Sequence, residues 1–124
     1  MINLINKKKS KSINIILSSI NKFPYLIGGS NRFDSNLIKL TKGRLFCKGG
    51  AEGVLLFEDF VKKIGGVIKI TDGNNRAIAP IAIKLFSKLK IITTKEENTL
   101  LKLHKQKIFN HAKKKVGEIV VEIK

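Results

Sequence analysis

Apolar residues at Ile13, Ile16, Leu17 and Ile20 fall on one stripe of a helix, which predicts a helix over 12–22. Pro24 ends it and pushes Phe23 towards extended backbone. Gly28-Gly29-Ser30-Asn31 reads as a loop. A second helix is expected from Arg32 to Leu40, with Phe33, Leu37 and Leu40 facing inward and Gly43 closing it. The period then changes. Arg44 to Lys48 is a strand running into Gly49-Gly50, and Gly53 to Glu58 is a mostly apolar second strand. Gly65-Gly66 opens a third, Val67 to Thr71, whose residues alternate about Ile68 and Ile70. Asp72-Gly73-Asn74-Asn75 is a turn, and Asn74 or Asn75 suits the cap of the next helix.

That helix is expected from Arg76 to Lys90, with Ile78, Ile81, Ala82, Leu85, Phe86 and Leu89 on a broad apolar face and Pro80 tolerated in its first turn. A weaker charged helix over 94–108, a loop from Asn110 to Lys115 and a closing strand from Val116 to Ile123 complete the chain. Short links between strands favour antiparallel pairing, so the predicted class is α+β, with an antiparallel sheet of three to four strands flanked by helices. A sheet this small is expected to leave apolar surface for a missing partner.

The 124 residues set a prior of one domain, and 43% hydrophobic content suffices for a core. Residues 1–11 are polar and basic and are expected to fray. The formal charge is +16, which raises an anionic partner as one class: a non-enzymatic basic module for nucleic acid or another polyanion. The residue types argue against it. Only Arg32, Arg44 and Arg76 among the 25 basic residues are Arg, and aromatics are 6%. Bidentate and stacking contacts to nucleic acid need those types. Lone Cys47 permits no disulfide within the chain, no apolar run is long enough to span a membrane, and no cleavage site follows the basic start. A cytoplasmic location is expected.

The chemistry concentrates at Lys48-Gly49-Gly50. Two glycines after a strand-end lysine let backbone approach a bound group, and the lysine offers charge to a developing oxyanion or a carboxylate. Around it run Gly28-Gly29-Ser30-Asn31-Arg32-Phe33-Asp34, Ala51-Glu52-Gly53-Val54, Ile68-Lys69-Ile70-Thr71-Asp72-Gly73 with Arg76, and Val116-Gly117-Glu118-Ile119. This ordered series resembles the L-asparaginase II family over about residues 12–122, while residues 1–11 show no such likeness.

The resemblance implies a fold like penicillin-binding proteins and serine β-lactamases, and hydrolysis of L-asparagine to L-aspartate and ammonia. It implies a catalytic role for Lys48, substrate contacts at Gly49, Gly50, Ala51 and Glu52, and structural roles near the site for Arg32, Asp72 and Arg76. Glu52 would face the substrate ammonium or pair with a lysine. Arg32 would tie its helix to the sheet, and Asp72 would form a turn that Arg76 holds. The family's Ser-x-x-Lys nucleophile, second serine and zinc cysteines belong to a part that would precede residue 12. Residues 12–124 are therefore expected to be the carboxy-terminal part of such a domain, inactive alone and holding no cofactor. The expected partner is a separate amino-terminal half or another copy of itself. Ser19-Ile20-Asn21-Lys22 is a literal Ser-x-x-Lys, but it ends a helix rather than starting one, where an activated serine would benefit from the helix dipole. His104 and His111 read as solvated surface, with no metal-ligand spacing.

Overall fold

Three strands and the helices packed on one of their faces carry the core. The computed structural model describes residues 11–104 and 107–123, so most of the expected frayed end, residues 1–10, lies outside the described residues. The elements are α1 (Lys11–Lys22), α2 (Tyr25–Gly28), α3 (Phe33–Leu40), β1 (Leu45–Gly50), β2 (Val54–Asp59), β3 (Ile64–Lys69), a 3-10 turn (Asn75–Ala77), α4 (Ile78–Lys88), α5 (Thr94–Leu103), β4 (Lys107–Phe109) and β5 (Lys115–Glu118). The α+β class and the three-stranded antiparallel sheet, in the order β1-β2-β3, are as expected.

The inner face of the sheet carries Leu45, Cys47, Leu55, Phe57 and Ile68. Against it lie Phe33 and Leu37 of α3, Ile78, Ala82 and Phe86 of α4, and Leu100 of α5. Phe57 and Phe86 meet edge-on with centroids 4.8 Å apart. Phe57 pairs across strands with Gly66, and a Cβ on Gly66 would lie 2.9 Å from the Phe57 ring. Here the glycine is needed inside the strand. The third strand therefore begins at Ile64 and takes in Gly65-Gly66, instead of opening after them.

Arg44 joins the elements at the other end. Its guanidinium donates to Asp59 Oδ2 at 3.2 Å, to the Ile91 carbonyl at 2.5 Å and to both carboxylate oxygens of Glu96 at 3.1 and 3.2 Å. Glu96 also completes a capping box with Thr93 at the start of α5. Asp59 is fully buried, and its other oxygen accepts from the Val61 and Lys62 N–H groups.

The carboxy-terminal region differs from expectation. α5 stops at Leu103, not at residue 108. The closing strand is confined to Lys115–Glu118 and pairs with β4 in a separate hairpin, so it adds nothing to the main sheet. The physical reason is length and solvation: β4 and β5 are short, and their residues are almost all exposed. Among the described residues no helix is long and apolar enough to cross a membrane.

Candidate functional site

Asp34 lies in the first turn of α3, behind the end of β1, and is 4% exposed. Its Oδ2 accepts the Gly49 N–H at 3.1 Å and its Oδ1 accepts the Ser35 N–H at 3.0 Å. Its backbone carbonyl takes the Cys47 thiol at 3.7 Å. Gly28 lies directly above the carboxylate, where a Cβ would stand 1.9 Å from Oδ1. One carboxylate thus joins the Gly28-Gly29 loop, the start of α3 and the Lys48-Gly49-Gly50 strand end. Charged hydrogen bonds of this kind are stronger than neutral ones.

A cavity of about 380 Å³ opens beside this clamp. Gly49 and Asp34 line it, together with Arg32, Arg76, His104 and the side chains of Asn31 and Asn75. The Arg32 guanidinium makes no hydrogen bond or ion pair among the described residues, so the expected tie from Arg32 to the sheet is not present. Arg76 donates to Asp72 Oδ2 at 2.7 Å, and Asp72 Oδ1 accepts the Asn74 N–H at 2.9 Å. That pair is exposed and stiffens the turn more than it stabilises the fold.

His104 was expected on solvated surface. It is half-buried, edge-on to Phe33 at 5.2 Å between centroids, with Asn36 Nδ2 donating to its Nε2 at 3.1 Å. With the amide in this orientation Nε2 is the acceptor, an arrangement that favours the neutral ring. Burial lowers the His104 pKa below its usual value, opposed by the Asp34 charge. The miss has a physical cause: the histidine follows a polar helix, and only the docking of α5 on α3 brings it to Phe33.

The other residues of the motif are placed apart from the cavity. Lys48 projects from the face of the sheet opposite Cys47 and Gly49, is exposed, and donates to the Gly49 carbonyl at 2.6 Å. Gly50, Ala51 and Glu52 continue into an exposed turn. Glu52 has φ 60° and Gly53 φ 66°, and a Cβ on Gly53 would lie 2.9 Å from Ile70 Cβ. The Glu52 carbonyl accepts Lys69 Nζ, so the pairing with lysine runs through its backbone.

Among the described residues no Ser, Thr, Cys or Lys lines the cavity. Ser19 is exposed on α1 and its hydroxyl donates to the Ile15 carbonyl at 2.9 Å. Burial, reinforced by Asp34, raises the Cys47 thiol well above its usual pKa and keeps it protonated. Among the described residues no three His, Cys, Asp or Glu side chains converge as metal ligands. The described donor set does not fit zinc.

These features define an α+β domain whose glycine-rich strand end is bonded to a buried carboxylate. The chain belongs to the L-asparaginase II family, which it matches over residues 1–121. The match takes in the basic stretch 1–11 that the motif series did not reach. No curated protein matches the chain.

Proposed function

We propose that the chain is the sheet-bearing portion of an L-asparaginase with a β-lactamase-like fold, hydrolysing L-asparagine only when a nucleophile-bearing portion completes the site. The carrying observation is the Asp34–Gly49 clamp, which draws two separated pieces of the family series, Gly28 to Asp34 and Lys48-Gly49-Gly50, to one strand end. In this reading L-asparagine lies along Lys48-Gly49-Gly50, where glycines permit close backbone approach. Lys48, on the exposed face, supplies positive charge to the oxyanion formed as the side-chain amide is attacked. Arg32 and Arg76 shape the cavity behind Gly49 and take no part in bond breaking.

Amide hydrolysis also needs a nucleophile and a proton acceptor. Among the described residues the cavity has no nucleophilic side chain, Ser19 is turned into its own helix, and Cys47 is buried as a thiol. The serine therefore has to come from a segment outside this sheet.

The test is ammonia release from L-asparagine. The purified chain alone is expected to release none. Adding a polypeptide that carries a family Ser-x-x-Lys segment is expected to restore turnover. Lys48→Met should then cut turnover about 100- to 1000-fold, as expected for loss of an oxyanion-stabilising group. Turnover by the chain alone, or restored turnover indifferent to Lys48→Met, would overturn the reading.

A further inference from the structure

The two edges of the main sheet are not equivalent. On β1 the outward N–H of Gly49 goes to Asp34 Oδ2 and that of Leu45 goes to Thr41 Oγ1, while α3 packs alongside. Those two outward groups are already taken. The same two bonds fix the hydrogen-bonding phase across the sheet. With Leu45 and Gly49 turned away from β2, the pairs Leu55–Ile68 and Phe57–Gly66 exchange the bonds between β2 and β3. The bond from the Ile70 N–H to the Gly53 carbonyl at 2.8 Å continues this phase. Gly65, Val67 and Lys69 therefore turn their N–H and C=O groups away from the sheet, and β3 has no second neighbour among the described residues.

This open edge lacks most devices that block pairing. Its register with β2 is regular, it contains no proline or bulge, and Gly65-Gly66 put no side chains in the way. Val67 is 60% exposed beside Leu56, giving an incoming strand an apolar side chain to pack against. The charges on the strand and just before it are positive, Lys62 and Lys63 before it and Lys69 at its end, while Asp72 beyond it is paired with Arg76. Two copies, each at formal +16, would repel on approach. An acidic strand would be attracted.

We infer that the β3 edge accepts an extended, acidic segment of a different polypeptide as a fourth strand, bonded to the backbone of Gly65, Val67 and Lys69. The inference rests on the edge geometry and holds whether or not that partner carries a nucleophile. Main-chain bonds would supply affinity, and the lysines would select the partner's charge.

Hydrogen exchange at the Gly65, Val67 and Lys69 amides tests this with two short probes, alternating valine–glutamate and alternating valine–lysine peptides. With the glutamate peptide at about ten times its Kd, exchange at these three amides should slow about tenfold, and less at high salt. The lysine peptide should give no protection. Val67→Pro removes only an outward N–H, a position where an edge strand tolerates proline. It should keep the fold by circular dichroism and lose the protection. Lys69→Glu, which leaves the backbone untouched, should weaken the glutamate peptide and favour the lysine peptide. Absence of protection with the glutamate peptide, equal protection by both peptides, or protection without peptide in a sedimenting dimer would each overturn the inference.

Discussion

The carboxylate of Asp34 holds the Gly49 N–H at 3.1 Å while resting beneath Gly28, so two glycine loops are sized to one buried side chain. Two predictions follow from that contact. Asp34→Ala leaves a strand-edge N–H without its partner, and the loss should be about 1–3 kcal/mol in urea unfolding. Gly28→Ala should also destabilise, because its Cβ would overlap Oδ1. In the double variant the clash is gone, so the two losses should sum to more than the measured total. Strict additivity in this cycle would show that Gly28 is not there to make room for Asp34.

Arg44→Lys is expected to behave as a severe change despite conserving charge. Lysine cannot reach Asp59, the Ile91 carbonyl and Glu96 together, as the planar guanidinium does. Asp59 is fully buried and would lose its ion pair. Removing one partner of a buried pair costs about 3–5 kcal/mol, and the 28% exposure of Arg44 places the expected loss at the lower end. A loss of unfolding free energy below about 1 kcal/mol in urea titration would show that the network is not holding β1, β2 and α5 together.

The buried Cys47 thiol gives an alkaline signature. Its folded pKa is raised, first by burial and then by Asp34, so the native state keeps a proton that the unfolded chain releases above about 8.5. The unfolded state binds fewer protons there, and stability should fall as pH rises through that region. Cys47→Val should remove this component of the slope. Alkylation at pH 8 should be slow until denaturant is added; rapid native-state alkylation would contradict the burial.

Much of the framework was legible because it is local. The apolar stripe of Phe33 and Leu37, the turn at Asp72-Gly73 and the antiparallel strands joined by tight links all follow from neighbouring residues. Lys48-Gly49-Gly50 was legible as a strand end for the same reason. Asp34 stood in the motif series, but nothing in its neighbourhood announces that its carboxylate caps a strand fifteen residues away. The alternating pattern at Ile119, Val121 and Ile123 suggested a strand, yet periodicity cannot supply a pairing partner, and the chain beyond Glu118 leaves the hairpin. His104 was hidden by the polar character of α5, since its burial comes from Phe33 and Asn36 on a different helix.

His104 supplies the acid counterpart. Its folded pKa is lowered, mainly by burial, while the unfolded value lies near 6.5. As pH falls below about 6.5 the unfolded chain takes up a proton that the native ring resists, so stability declines; the decline from this group ends once pH passes below the folded pKa. Protonation would also put a hydrogen on Nε2, so the Asn36 amide would have to turn its oxygen to the ring to keep the contact. The charged groups that face the ring include Asp34, whose attraction opposes the shift without cancelling it. In chemical denaturation between pH 7 and pH 5, the native chain should therefore lose stability more steeply than His104→Asn, which can keep a side-chain contact to Asn36 without titrating. The variant should be less stable at pH 7, where the neutral ring packs on Phe33, with the gap closing as pH falls. Parallel pH profiles for the two proteins would mean that His104 is as free to charge in the native state as in the unfolded chain.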